Sequence, residues 1–425
     1  MNLMAAAATV AGFAIAAWLG LPAVRRTSLG IWHPAAAWLA LEAVFFGVGS
    51  AILALSDGRD GPAWNVTGAL VAFGLAVRLS DAFARRRVGL PAADPADATG
   101  GPPPEPTPAG IRWPVVVVLV GLGLLALLPT LLEVGLPALA LDVTGARTAI
   151  GGLDVQVLRV ALPAGLVAAV VLATVTPSSR IRIGVAVAVL AAIGAELALA
   201  SRYLAAELIA AIVIGLALAA RPLAGRILLG VAAAAVAVFV VVGVLRAYGE
   251  AGGNPLAFAA ERSVNRIVLI QPRTLDAIQA AIPAEVPYFG GLTWFRRLAP
   301  LFGRDDVPNL GYWIYPRLFP DQVTPGYAAP GLLGEAWANF GPAGVALVAL
   351  LGVVAERLGA LIARRRRALV DIAAASLAIL FLARTHALGV NGLLVLAILV
   401  AVWRILAGPM PGLRADLART LTWRA

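Results

Sequence analysis

A glutamate stands where a polar, Pro/Gly-rich segment turns into a long apolar run. Residues 317–345 read RLFPDQVTPGYAAPGLLGEAWANFGPAGV. Glu335, Trp337 and Asn339 follow Pro330 at odd steps, and Gly, Ala, Val and Leu then dominate to Arg357. A carboxylate in the first turns of an apolar helix has its charged form disfavoured by desolvation, which suits a base that takes a proton from a hydroxyl. Its alternative role is structural, accepting the free amides of a helix N-terminus, and the residues leave both open. His386, in ARTHALGVNG at 383–392 with Arg384 two positions earlier, is the second candidate base because imidazole titrates near neutrality. It serves equally as an interfacial hydrogen-bonding residue.

Residues 247–328 carry the cations that would accompany such a base: Arg262, Arg266, Arg273, Arg296, Arg297, Arg304 and Arg317. A guanidinium binds phosphate through a planar fork, so an anionic lipid head group or a lipid diphosphate is the natural partner. Pairing with Glu261, Glu285, Asp305 and Asp306 is the alternative. FAAERSVNRIVLIQPRTLDAIQAAIPAE at 258–285 suggests an amphipathic interfacial helix broken by Pro272, with Arg262, Arg266 and Arg273 on one face if it continued. The aromatic stretch from Val286 to Tyr327 reads either as an interfacial belt or as a platform for sugar rings. Asp305 and Asp306 read as a solvated turn rather than as a metal-holding pair.

These residues need a scaffold, and composition names it. The chain is 61% hydrophobic and 13% charged, against about 45–50% and about 25% in soluble domains, and its mean hydropathy is +0.90. The fold expected is an all-α polytopic membrane protein. Windows of about 20 apolar residues give about eleven spans, at 3–21, 35–55, 64–80, 114–132, 157–176, 181–199, 203–220, 226–246, 329–356, 369–387 and 389–408. Arg25–Arg26, Arg85–Arg87, Arg180 with Arg182, Arg221 with Arg226, Arg364–Arg367 and the tail arginines fall in alternate connections. By the positive-inside tendency the N-terminus is expected outside and the C-terminus in the cytoplasm. The 247–328 segment is then the large external loop, so its arginines run against that tendency.

The resulting division is a three-span segment 1–87, a disordered Pro/Ala/Gly linker 88–113, a five-span segment 114–246, the external loop 247–328, a three-span segment 329–408 and a basic tail 409–425. Residues 1–21 lack a basic start and a small-residue cleavage site and read as a retained span. The net charge of +10 comes from arginine alone, and cytoplasmic loops account for it, so no nucleic acid is expected. The absence of cysteine excludes disulfides and Cys-ligated metals, and two histidines exclude a histidine-rich metal site; no cofactor is expected. Asp57 and Asp60 read as loop solvation, and the 133–156 loop with Glu133, Asp142, Arg147 and Asp154 as a rim without nameable chemistry. Glu42 and Glu196 cost about 2.5–3.5 kcal/mol at mid-membrane and are expected to pair inside the bundle, for instance with Arg159 or Arg246. His33 reads as an interface residue.

Ser201–Arg202 opening the 203–220 span, Pro316–Arg317 late in the long loop, Gly334–Glu335 and Asn339–Phe340–Gly341 occur in that order. This set resembles the oligosaccharide repeat-unit (O-antigen, Wzy-type) polymerases over residues 199–360. The family's frequent lysine after the Pro-Arg is replaced here by DQVTPG, and its Arg/Gly repeats have no match. The resemblance implies a glycosyltransferase that polymerises polyprenyl-diphosphate-linked oligosaccharide at the outer face of the cytoplasmic (inner) membrane, metal-independent. Glu335 or His386 would be the base, and Arg202, Arg317, Arg304, Arg384, Asn339, Arg262 and Arg266 would contact substrate. Membrane lipids and polysaccharide export or chain-length proteins are the implied partners. Two other classes stay open: an oligosaccharide ligase or related polyprenyl-phosphate-dependent transferase, and a lipid-linked oligosaccharide flippase or other transporter. Against transport stand the lack of a repeat between the halves and the concentration of polar residues on one side.

Overall fold

An apolar run that crosses a bilayer must satisfy its own backbone, and a helix is the single-segment solution. The computed structural model describes residues 2–27, 29–88, 113–126, 128–135, 153–198, 202–219, most of 254–321, 326–365 and 369–383. The chain is an all-α, multi-pass membrane protein. Its helices are α1 (Leu3–Arg26), α2 (Pro34–Glu42), α3 (Val48–Ser56), α4 (Gly61–Val88), α5 (Trp113–Leu125), α6 (Leu128–Val134), α7 (Leu153–Val175), α8 (Ser179–Ala198), α9 (Arg202–Leu218), α10 (Ile270–Ala281), α11 (Leu310–Leu318), α12 (Gly331–Phe340), α13 (Val345–Arg365) and α14 (Leu369–Ala383). Among the described residues four stretches are long and apolar enough to cross a membrane: Leu3–Arg26, Pro34–Ser56, Gly61–Arg86 and Gly331–Ala363. Shorter apolar helices occupy further expected windows at Trp113–Leu125, Ala161–Val175, Glu207–Leu218 and Asp371–Leu382. The windows 226–246 and 389–408, the linker and the tail lie outside the described residues.

The chain forms two compact units, one of residues 1–103, 236–364 and 379–394, the other of 104–235, 365–378 and 395–425. In the first, α1 and α4 pack closely because small residues face each other: a β-carbon on Gly74 would fall 2.7 Å from Ala16 Cα, and one on Gly12 3.1 Å from Thr67 Cγ2. The core beside them stacks Trp38 on Phe73 at 4.2 Å and includes Phe46, Leu70, Leu275, Leu332 and Leu351. Leu3, Met4, Val10 and Trp18 cover the outside of α1 and are exposed, as lipid-facing side chains are. In the second unit Leu162, Leu166, Ala192 and Leu208 form the core, and Gly123 admits the Leu162 backbone at 2.8 Å from a would-be β-carbon.

Among the described residues two breaks interrupt the spans of the first unit. A π turn at Ala43–Gly47 joins α2 to α3. A 3₁₀ turn at Gly341–Gly344 separates α12 from α13, with Gly341 at φ +58° and Pro342 behind it. The 329–356 window is therefore two helices rather than one. The expected break at Pro272 does not occur. Pro272 is the third residue of α10, and the π turn at Asn265–Leu269 runs into it without a gap, the wider turn accommodating the proline ring. The helix is amphipathic, as expected: Gln271, Pro272, Thr274, Leu275, Ile278 and Ala281 are buried, while Arg273 and Ala280 are exposed. A β-carbon on Gly49 would strike the Val268 carbonyl, so α3 and the π turn are in backbone contact about two turns, roughly 10 Å, from the 57–60 loop.

Candidate functional site

One end of the first unit is built from α12, the 282–330 segment and the 57–60 loop. Asn2 caps α1 by accepting from the Ala5 N–H at 3.1 Å and donates to Asp60 at 3.0 Å, and Arg59 pairs with Asp276 of α10 at 2.7 Å. Asp60 thus has a structural partner. The 282–330 segment has its own apolar core, formed by Ile278, Ile282, Phe289, Val307, Leu310 and Ile314 with Ala338 of α12.

Helix α12 organises this end. Residues Gly331–Ala336, Ala338 and Asn339 are buried, and a β-carbon on Gly334 would press on Ile278 Cδ1 at 3.0 Å and Pro330 Cβ at 3.1 Å. Asn339, 1% exposed, donates through Nδ2 to Thr293 Oγ1 at 2.6 Å and to the Glu335 carbonyl at 2.8 Å. Its Oδ1 accepts from the Gly291 N–H at 2.9 Å, and its own carbonyl accepts from the Gly290 N–H at 2.9 Å. Trp337 Nε1 donates to the Ile282 carbonyl at 3.0 Å. Asn339 thus clamps the loop to the helix with its whole amide. The turn after α12 is sealed by Tyr288, whose ring occupies the place of a Gly341 side chain, and by Trp294 against Phe340 at 5.5 Å.

Glu335 is 6% exposed on this helix. Its electrostatic neighbour is Tyr327, whose phenol is pushed up to about 12 by desolvation, then by the Glu335 carboxylate and by Tyr312. The phenol therefore stays protonated near neutrality and is a hydrogen-bond donor beside a carboxylate. Tyr327 rests on Gly311, whose position admits no side chain, and meets Tyr312 edge-on at 5.2 Å. The residue is 47% exposed, so the group reaches solvent from one side. Tyr327 ends the aromatic stretch of the long loop, and its place beside Glu335 goes beyond a belt or a platform. Its signal was an aromatic in the TPGYAAP segment eight positions before Glu335.

The remaining candidates are placed as follows. Arg317 closes α11, bonds Glu285 at 2.8 Å and lies over the Trp313 ring at 3.9 Å. Arg304 forms a two-pronged pair with Asp306 at 2.8 and 3.2 Å, which raises the guanidinium and lowers the carboxyl. Both arginines are in the surface pairings weighed as the alternative to phosphate. Arg202 opens α9 in the other unit, and Arg266 lies in the π turn before α10; their side chains are not described. Arg262, Arg384 and His386 lie outside the described residues. A shallow dimple lined by Asn65, Ala69, Leu333, Trp337, Gly341 and Val348 does not include Glu335. Among the described residues no three His, Asp or Glu side chains gather as a metal site.

The opposite end of the unit holds a second group of charges. Arg26 and Arg85 both contact Asp81, the latter at 3.2 Å. Ser80 donates to Glu356 at 2.6 Å, and Arg357 donates to the Ser80 carbonyl at 3.3 Å. His33 is fully buried rather than interfacial: Nδ1 accepts from the Ala35 N–H at 3.2 Å and caps α2, and the ring fills the space beside Gly359. Burial pushes it down to about 4. Glu42, 1% exposed, has neither an ion pair nor a hydrogen bond among the described residues; the side chains of Arg159 and Arg246, named as its partners, lie outside them.

No family model matches the chain, and neither a curated protein nor a solved structure matches it. The site must therefore be read from its own chemistry.

Proposed function

We propose that this chain is a membrane glycosyltransferase that polymerises polyprenyl-diphosphate-linked oligosaccharide at the outer face of the cytoplasmic membrane. The proposed topology has eleven spans, the N-terminus outside and the C-terminus inside. The observation that carries the reading is the buried Glu335 on a short helix detached from α13, beside the protonated Tyr327 phenol and clamped to an ordered aromatic segment. Glu335 takes the proton of the acceptor hydroxyl as that oxygen forms the new glycosidic bond. The bond to the lipid diphosphate breaks, and the diphosphate departs with its charge met by arginine, Arg317 first. Tyr312, Tyr327 and Tyr288 present rings on which sugars stack. The test is extension of a purified lipid-linked repeat unit by the full chain in nanodiscs, read as a glycan ladder. Glu335→Gln is expected to lower the rate by about 10²–10⁴-fold with the melting temperature retained. A ladder undiminished in that variant rejects the assignment, and a single addition in place of a ladder marks a ligase.

A second reading, transport, is favoured by the break at Gly341–Gly344, because discontinuous helices are a feature of transporter sites. Movement of the lipid-linked substrate between leaflets without extension would select it.

A further inference from the structure

Glu42 is the one acidic side chain in the described spans whose two oxygens are both buried and without a hydrogen-bond partner. It lies at the end of α2, where the chain widens into the π turn Ala43–Gly47, and such turns concentrate at functional sites. An ionised carboxylate there would be uncompensated. The charged groups on the elements packed against it are committed elsewhere or distant in the chain's layout. Arg25 and Arg26 close α1, and Arg26 contacts Asp81 with Arg85; Arg78 and Arg86 lie on the same end of α4. Asp276 of α10 pairs with Arg59, and Arg273 is exposed. On α13, Glu356 is engaged by Ser80 and Arg357. Arg266 is in the facing π turn and is the group the test must address.

Further buried oxygens without partners follow from Glu42 toward the 57–60 loop. Ser50 lies on α3 beside Gly49, which abuts Val268 and Pro272; Gln271 is next to that contact, and Gln279 Oε1 approaches Gly61 at the loop. Acceptors of this kind are what a chain of ordered water uses. We infer that Glu42 is an intramembrane proton-binding site, reached from the 57–60 end along Ser50, Gln271 and Gln279. A hydronium delivers one proton to the carboxylate and leaves as water. The burial of an unpaired carboxyl in a span and the placement of the π turn carry this inference independently of the glycosyl-transfer reading.

The probe is dicyclohexylcarbodiimide, which adds to protonated carboxyls in apolar surroundings, applied to the full chain in nanodiscs and read by peptide mass spectrometry. A Glu42 adduct is expected at neutral pH, lost in Glu42→Gln, declining as pH rises and unaffected by sodium. Absence of the adduct in folded wild-type protein at neutral and mildly acidic pH overturns the site, since the carboxylate is then ionised. If Arg266→Gln then creates the adduct, Arg266 is the counter-ion. An adduct suppressed by sodium at fixed pH overturns it in favour of a cation site. Hydrogen–deuterium exchange of the protonated-carboxyl infrared band is expected to slow in Gln271→Leu; unchanged exchange rejects the access path.

Discussion

The two ends of the first unit spend their polar groups differently. At the Arg26 end the carboxylates are buried and their guanidiniums reach out beside them: Asp81 between Arg26 and Arg85, Glu356 under Ser80 and Arg357. At the Glu335 end, the buried work is done by a neutral amide and an indole, Asn339 and Trp337, which hold backbone groups of the 282–291 segment. The arginine pairs there lie outside that clamp: Arg317 with Glu285 and Arg304 with Asp306 are solvent-accessible. The difference teaches where a ligand can compete. A guanidinium paired with an exposed carboxylate exchanges partners at little cost, whereas one that compensates a buried carboxylate does not.

The largest effect that would sharpen this contrast is at Asp81. Asp81→Ala leaves Arg26 and Arg85 facing each other at a mostly buried site, and a loss of about 3–5 kcal/mol is expected in equilibrium unfolding of the full chain. A loss below about 1 kcal/mol, the level of surface pairs, would erase the distinction between the ends. Next is His33. Its folded value of about 4 lies below the ordinary 6.5, so the unfolded chain takes up the proton first. The stability contributed by the neutral ring is full above about pH 6.5 and declines as pH falls to about 4, by about 3 kcal/mol in all. His33→Asn, which keeps a capping side chain, is expected to flatten that part of the melting-temperature profile between the two values. A profile as steep as wild type would assign the acid sensitivity to other groups.

The α1, α2–α3 and α4 spans were legible because hydropathy and length alone decide them, and Glu335 was legible because a carboxylate interrupts an apolar run just after Pro330. The helix break was not: Gly341, Pro342 and Gly344 were present in the sequence, but an apolar window counts them as continuous. Pro272 misled in the opposite direction, because its effect depends on its position within a helix that only packing against α3 and α4 defines. Long-range pairing was illegible in principle. Asn339 meets Gly291 across 48 positions and Arg317 meets Glu285 across 32, separations over which no local periodicity carries information. His33 looked interfacial beside a basic turn, yet the glycine that makes room for it is Gly359, far along the chain.

A smaller effect belongs to Asn339. Asn339→Leu removes the acceptor of the Gly291 N–H and both donors from a buried position, and each orphaned group costs about 1–3 kcal/mol. The expected result is a destabilisation in that range accompanied by proteolytic opening of the 282–294 segment, with the Arg26 end still protected. Uniform loss of protection at both ends would show that the two clamps unfold as one, and the comparison would lose its basis.

The smallest expected change in stability is at Arg317. Arg317→Ala and Glu285→Gln each break an exposed pair, and each is expected to shift unfolding by less than about 1 kcal/mol. Under the proposed glycosyl transfer their effects on glycan extension diverge, because only one of them removes the cation. Glu285→Gln leaves the guanidinium over the Trp313 ring, held by the Trp313 carbonyl at 3.0 Å, and free of its carboxylate; initial rates at or above wild type are expected. Arg317→Ala leaves Glu285 to repel a diphosphate, and its rate should fall. If both variants slow extension equally, the pair acts as a single structural tie between α11 and the segment after α10, and the leaving group must be met by a different arginine.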